Sequence, residues 1–409
     1  MEYGLLGEKL GHSFSPRIHK ALWGAEYGLI EKSPEELGPF LQSGDFRGLN
    51  VTIPYKQAVI PYLAELSEAA RAIGSVNTIL RREDGSLWGH NTDYDGFLAL
   101  VRSLSFDLRG RKALVLGDGG AAKTVRAVLR AEGVGELVTI SRRGPDNYEN
   151  LSRHADAALI VNTTPLGMYP NVDAAAVDLG RFPACKAVLD LIYNPARTKL
   201  LLQAEELGME ALGGLPMLVE QGRKAAELFS GRTIPAEEGE RLLRRLRAET
   251  MNVALIGMPG CGKSTVGRAL AERLGRPFVD LDEELVKRAG KSIPTIFAEE
   301  GEAGFRARET ALLDEFSRES GLVLATGGGV VTRPENRPLL RRNSRVIRLE
   351  RPLEQLATGG RPLSQTRSVL ALACEREHLY RAWAEGSVQV TEPKETARRI
   401  EALLWEESE

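Results

Sequence analysis

Two stretches of this sequence combine glycines with residues that handle phosphate. Gly257-Met258-Pro259-Gly260-Cys261-Gly262-Lys263-Ser264-Thr265 fits the pattern G-x-x-x-x-G-K-[S/T]. Glycine at these places lets backbone N–H groups close around a polyphosphate. The lysine reaches the outer phosphates and the hydroxyl ligates a divalent cation. Gly257, Gly260, Gly262, Lys263, Ser264 and Thr265 are therefore candidate nucleotide-binding residues, with Cys261 as a small loop residue rather than a reactive thiol. The second stretch, Gly117-Asp118-Gly119-Gly120-Ala121, follows the apolar run 112–116 and precedes a helical pattern over 121–131. A glycine turn between strand and helix sets a pyrophosphate on the helix N-terminus, although a lone G-x-G is equally the signature of a tight turn. The next apolar run, 137–140, ends at Ser141-Arg142-Arg143. An acid there would suit the 2'-hydroxyl of NAD; a serine and two arginines suit the 2'-phosphate of NADP. A solvated basic turn is the alternative.

Four polar clusters precede Gly110: His12–Pro16, Asn50–Lys56, Gly74–Thr78 and Gly89–Asp93. Each could be a turn or a helix cap. Together their Ser, Thr, Asn, Asp and Lys residues form a hydrogen-bonding set suited to a small polyhydroxylated acid.

The elements that must position these residues alternate regularly. Short apolar runs at 112–116, 137–140, 159–161, 187–191, 252–256, 322–325 and 345–349 are separated by helical patterns, which predicts βα units on parallel sheets. The two glycine turns are too far apart to share one small sheet and imply two phosphate-binding domains. The junction falls near residue 250. There Pro235 opens a helical segment that is acidic early and basic late, as the helix dipole favours, and a strand follows at once. Met251 reads as a former start codon. Neither a Gly/Ser nor a Pro-rich tether separates the parts.

With 409 residues, the chain has room for two or three domains at roughly 150 residues each. Its 54 Lys and Arg residues nearly balance 56 Asp and Glu, for a net charge of −2. Neither side of Met251 is a basic block, so nucleic acid and anionic membrane are not expected partners. The apolar fraction of 43% excludes disorder as the main state, and no run approaches the roughly 20 residues of a membrane span. Cys185, Cys261 and Cys374 lie far apart without a C-x-x-C, which fits a reducing cytoplasm. The N-terminus lacks the pattern of a secretory signal. A homo-oligomer stays open.

The order of the motifs before residue 250 resembles the shikimate dehydrogenase family. The matching pieces are HSFSPRIH (12–19), NVTIPYK (50–56), GSVNT (74–78), GHNTDYDG (89–96), GDGGAA (117–122), NTTPLGM (162–168), DLIYNP (190–195) and MLVEQG (217–222). The resemblance implies Lys56 and Asp93 as the catalytic pair. It implies Ser13, Ser15, Thr52, Asn77, Asp93 and Gln221 as substrate ligands. NADP(H) would lie on Gly117, Asp118, Gly119, Gly120 and Ala121, with its 2'-phosphate at Ser141 and Arg142. Ser141 and Arg143 stand where many members have Asn and Thr. His12 and His19 belong to the first block, where capping or packing is expected of them.

Beyond residue 250 the clusters Phe278–Asp282, Phe297–Arg306, Thr326–Gly329, Arg361–Leu363 and Glu375–Tyr380 follow the phosphate loop. In this order they resemble the shikimate kinase family. That resemblance implies Ser264 and Asp280 as Mg2+ ligands, and Asp282, Arg306, Gly328 and Arg376 as shikimate ligands. Lys263 and Arg361, the latter on a lid, would act on the phosphoryl group of ATP. The segment before Arg361 is shorter than the family's, and the basic residue usual beside the adenine has no counterpart at 356–358.

The expected fold class is α/β. An α/β substrate domain (residues 1–98, with return helices at 216–250) and a Rossmann-type NADP domain (99–215) precede a P-loop kinase domain (251–409), a parallel sheet flanked by helices. The implied reactions are NADPH-dependent reduction of 3-dehydroshikimate to shikimate and ATP-dependent phosphorylation of shikimate to shikimate 3-phosphate. The alternative is a quinate/shikimate dehydrogenase fused to a degenerate or regulatory kinase-like nucleotide-binding module.

Overall fold

The protein is described here by a computed structural model covering residues 2–11, 13–357 and 368–406. It forms two compact units, Met1–Tyr193 with Gln203–Leu243, and Asn194–Leu202 with Arg244–Glu409.

The first unit holds two sheets. One is built from β1 (Tyr3–Gly7), β2 (Gly28–Glu31), β3 (Gly48–Val51), β4 (Glu65–Leu66), β5 (Thr78–Arg81) and β6 (Leu87–His90), in the order β2-β1-β3-β5-β6-β4. The contacts of β5 with β3 and β6 are antiparallel and the others parallel. Where β3 ends, β5 begins and β6 ends, so residues 50–52, 76–78 and 90–93 meet at one corner. The other sheet is parallel: β7 (Lys112–Leu116), β8 (Glu136–Ile140), β9 (Leu159–Asn162), β10 (Ala187–Asp190) and β11 (Glu210–Leu212), ordered β11-β10-β9-β7-β8. After β8 the chain crosses to the far side of β7. The loops leaving β7 and β9 therefore diverge at a switch point, the place where doubly wound sheets bind ligands.

The second unit carries a parallel sheet of β12 (Asn252–Ile256), β13 (Phe278–Asp280), β14 (Val323–Ala325), β15 (Ser344–Glu350) and β16 (Gly386–Gln389), ordered β13-β14-β12-β15-β16. All seven apolar runs read from the sequence are strands. Those at the sheet centres are buried on both faces, as at Ala113–Leu116 and Val253–Ile256, which is why they are continuous apolar runs rather than alternating ones.

Helix Leu215–Ser230 organises the first unit. It packs on helix Thr92–Arg102 at Gly96 and on helix Ser15–Trp23 at Gly222. A Cβ on Gly96 would lie 2.6 Å from the Met217 carbonyl oxygen and 3.1 Å from Gln221 Cβ. One on Gly222 would lie 2.6 Å from Ile18 Cγ2. Both glycines set helix separations that no larger residue permits. Gly96→Ala should destabilise the first unit by about 1–3 kcal/mol, because the clash is with backbone that cannot rotate away. A thermal melt tests this: an unchanged transition would mean that the two helices are not held at this distance.

Candidate active sites

Lys56 and Asp93 meet at the corner of the first sheet. Lys56 Nζ lies 2.6 Å from Asp93 Oδ2, and Asn77 Nδ2 donates to Asp93 Oδ1 at 2.9 Å. Asp93 sits in the first turn of helix Thr92–Arg102, where the helix dipole favours a carboxylate. Asn77 is fixed in turn. Its Oδ1 accepts from the Thr92 N–H at 2.7 Å and from Thr78 Oγ1 at 3.0 Å. Asn50 Nδ2 donates to Thr78 Oγ1 at 3.0 Å, and Asn50 Oδ1 accepts from Tyr27 Oη at 2.7 Å. The Lys56 backbone is tied through its carbonyl oxygen to the Val76 N–H at 2.8 Å. The pair thus rests on a buried, closed hydrogen-bond network.

His19 belongs to that network. Its Nδ1 accepts from Trp23 Nε1 at 3.1 Å, so the proton is on Nε2, which donates to Asn50 Oδ1 at 3.0 Å. Burial lowers its pKa to about 4, with the Asn50 hydrogen bond opposing the shift. His19 is a neutral packing residue, as expected; His12 lies outside the described residues.

Other substrate candidates lie on neighbouring elements. Ser13 Oγ is 3.2 Å from Ser15 Oγ and accepts from the Ser15 N–H, opening helix Ser15–Trp23. Thr52 follows β3, its N–H bonded to the Leu6 carbonyl. Gln221 Nε2 donates to the Leu218 carbonyl at 2.8 Å, beside Gly222.

At the switch point of the second sheet, Gly117 has φ +100° and a Cβ there would lie 2.9 Å from both Thr163 Oγ1 and Thr164 Cγ2. Gly119 and Gly120 face open space, and the first turn of helix Gly120–Ala131 carries no acid. An open cradle at a positive helix end fits a pyrophosphate. The Asp118 carboxylate is paired with Arg126 at 2.8 Å. Ser141 follows β8, and Arg142 and Arg143 are exposed, with no carboxylate of the described residues in ion-pair range. The nearby acid, Asp146, is turned to His154 at 3.0 Å.

In the second unit, one cavity of about 300 Å³ is lined by Gly260, Gly262, Lys263, Ser264, Thr265, Asp280, Asp282, Arg306, Gly328 and Arg376. The helix after the phosphate loop starts at Lys263, so Lys263 and Ser264 are in its first turn. Lys263 Nζ donates to the carbonyls of Gly257 and Met258 at 2.8 and 3.1 Å. Cys261 is buried, and its Sγ would lie 3.1 Å from a Cβ on Gly257. Ser264 Oγ bonds Asp280 Oδ2 at 2.5 Å, while Asp280 Oδ1 caps the next helix through the N–H groups of Asp282 and Glu283. A hydroxyl beside a carboxylate is a hard oxygen pair that fits Mg2+, which takes few protein ligands and completes its shell with phosphate and water. Burial, then Glu309 and Asp280, push the Asp282 carboxyl up to about 6, against Lys263 and Arg306.

Arg306 is held by Glu309 at 2.7 Å, with both side chains buried (7% and 1% exposed). Arg376 Nη1 and Tyr380 Oη both donate to the Gly328 carbonyl. The triple glycine is what these charges pack against. A Cβ would lie 2.1 Å from Glu309 Oε1 at Gly327, 2.6 Å from Pro259 Cγ at Gly328, and 2.0 Å from Arg306 Nη2 at Gly329. Sequence reasoning missed Glu309 and Arg351, which also line the cavity. Glu309 had a signal, an acid three residues after Arg306 on a helix. Arg361 and the lid segment 358–367 lie outside the described residues.

Comparison with known proteins assigns both halves. The family model for the shikimate dehydrogenase substrate binding domain matches residues 5–79, and that for the shikimate 5'-dehydrogenase C-terminal domain matches residues 214–244. A shikimate dehydrogenase (NADP(+)) of Clostridium beijerinckii is 40% identical over 248 residues, which cover 56% of this chain and 91% of the relative. The chain belongs to the shikimate dehydrogenase family. Residues 259–404 match the shikimate kinase family model, so the chain is a fusion of the two. A chorismate mutase/shikimate 5-dehydrogenase fusion protein from Clostridium acetobutylicum matches in structure with TM-score 0.54 and 35% identity, over 60% of this chain and 96% of that one. A shikimate 5-dehydrogenase from Thermus thermophilus, solved with NADP(H) and shikimate, matches with TM-score 0.55 and 33% identity, over 60% of this chain and 99% of that one. No helix among the described residues is long and apolar enough to cross a membrane.

The neutrality of His19 has a stability consequence. The unfolded chain takes up a proton near pH 6.5, the folded one only near pH 4, so this contribution is complete above about pH 6.5 and is lost as pH falls to about 4. Melting the native protein and His19→Gln across that window should show their gap in Tm narrowing as pH falls. A gap independent of pH would contradict a neutral His19.

Proposed function

We propose that the first unit reduces 3-dehydroshikimate to shikimate with NADPH, and that the second phosphorylates shikimate to shikimate 3-phosphate with MgATP. The observation that carries the first half is the Lys56–Asp93 contact of 2.6 Å, locked by Asn77. The cavity shared by Lys263, Asp282, Arg306 and Arg376 carries the second. When bound, NADPH supplies a hydride and MgATP a phosphoryl group.

In the reduction, hydride addition to a ring ketone leaves an alkoxide that needs a proton. Lys56 Nζ is the donor, oriented by Asp93, whose carboxylate also accepts a substrate hydroxyl. Ser13, Ser15, Thr52, Asn77 and Gln221 bind the remaining carboxylate and hydroxyl oxygens. Gly117–Ala121 holds the pyrophosphate, with Ser141 and Arg142 on the 2'-phosphate.

In the phosphorylation, Arg306 and Arg376 pair with the shikimate carboxylate. Asp282 accepts the hydroxyl proton. A carboxyl already displaced toward neutral pH by burial is a better proton acceptor than an ordinary one. Lys263, now on two carbonyls, would hold phosphate oxygens of ATP, and Ser264 and Asp280 would hold Mg2+. Arg361 meets the charge that develops on the transferring group.

Two measurements test this reading. Lys56→Ala should lower reduction by a factor on the order of 10²–10⁴ and leave phosphorylation intact, and Lys263→Ala should do the reverse. Loss of both activities from one change in a folded protein would refute two independent sites. For the cofactor, charge-assisted bonds of about 1.5–3 kcal/mol from Arg142 should give an NADPH preference that Arg142→Ala largely removes. Equal kcat/KM of the native enzyme with NADH and NADPH would refute it.

A further inference from the structure

Segment 349–357, which leaves β15 and leads toward the lid, lies directly on the phosphate loop. A Cβ on Gly257 would lie 2.6 Å from the Leu349 carbonyl oxygen, and one on Gly260 would lie 2.2 Å from the Ala357 carbonyl oxygen. The Ala357 N–H donates to the Gly260 carbonyl at 3.4 Å. Between these contacts, Arg351 Nη1 would lie 3.9 Å from a Cβ on Gly262, the residue that caps helix Lys263–Leu274. Arg351 lines the cavity together with Lys263 and Ser264.

The surroundings of this arginine are unbalanced. Its neighbour Arg348 is neutralised by Glu350 at 3.0 Å and by Glu377. Among the described residues Arg351 has no ion pair, and its Nε is buried without a hydrogen-bond partner. Lys263 and the N-terminal end of helix Lys263–Leu274 line the same cavity. A helix N-terminus with a lysine and an arginine around it favours an anion such as phosphate. Arg351 is also the sole basic residue between Leu349 and Ala357.

We propose that Arg351 is a nucleotide-binding residue that grips the phosphate chain of ATP from the β15 side of the phosphate loop. This rests on the reading of the second unit as an ATP-dependent kinase. A planar guanidinium can bond two phosphate oxygens at once. The contact exists before and during phosphoryl transfer alike, so it governs affinity rather than turnover. Its position on the β15 side of the loop is one that the sequence pattern does not mark.

The test is calorimetric titration of the full-length protein with MgADP, alongside kinase kinetics and a melting curve, for the native protein, Arg351→Ala and Arg351→Lys. Arg351→Ala should weaken MgADP binding on the order of tenfold or more and raise the KM for ATP by a similar factor. Its kcat, its KM for shikimate and its melting curve should hold. Arg351→Lys should recover most of the affinity, because a point charge still binds phosphate. Unchanged MgADP affinity in Arg351→Ala would overturn the proposal. So would an Arg351→Lys variant as weak as Arg351→Ala that has also lost preference for ADP over GDP, since that places Arg351 on the base. A native protein that binds MgADP but does not phosphorylate shikimate would overturn the kinase reading and leave the binding role of Arg351 standing on the titration alone.

Discussion

Charged side chains in the kinase cavity lie against backbone that has no side chains of its own. At Gly329 a methyl group would sit 2.0 Å from the Arg306 guanidinium, and at Gly327 one would sit 2.1 Å from Glu309 Oε1. This close approach lets an arginine and a glutamate be buried together in the cavity that Asp282 also lines. Breaking such a pair by removing one partner leaves a buried charge uncompensated, at a cost of about 3–5 kcal/mol. The triple glycine is therefore part of the electrostatics of the site. The same constraint shapes the phosphate loop, where Gly257 and Gly260 admit the carbonyls of segment 349–357.

The dehydrogenase unit solves its positioning problem with amides rather than ion pairs. Lys56 comes from the loop after β3 and Asp93 from the first turn of helix Thr92–Arg102, and what aligns them is Asn77, held by Thr92 and Thr78, with Asn50 and His19 behind. Each donor in this chain meets an acceptor, so the buried polar groups cost little and fix one geometry. His19 is legible in that light. It must stay neutral because its Nδ1 is used as an acceptor, and burial keeps it so.

Both units place a glycine turn beyond the carboxyl ends of parallel strands where the strand order reverses, at β7/β9 and at β12. That location gives a glycine turn, a helix N-terminus and divergent loops in one place. It also explains why one chain can hold two chemistries without sharing residues. The sheets of β7–β11 and β12–β16 each carry their own glycine turn, while Lys56 and Asp93 meet at the corner of the β1–β6 sheet.

Much of this was determined by local sequence. The two glycine turns, the seven apolar strands and the helix that opens at Ala236 follow from short-range chemistry: glycine at positive φ, continuous apolar runs for strands buried on both faces, and a dipole-matched helix. The order of the motifs sufficed to name Lys263, Ser264, Asp280, Asp282, Arg306, Gly328 and Arg376 of the kinase cavity, though not Glu309 or Arg351. Tertiary structure decided what depends on distance between remote segments. That Asp280 both caps a helix and meets Ser264, that Glu309 neutralises Arg306, and that Asp118 is taken up by Arg126 are outcomes of packing. Arg351 is the clearest case. In sequence it is one arginine in a charged run, and only the contact of its segment with bare glycine backbone sets it beside the phosphate loop. Local propensity acts over a few residues, whereas the charge balance of a site is a sum over side chains that the fold alone brings together.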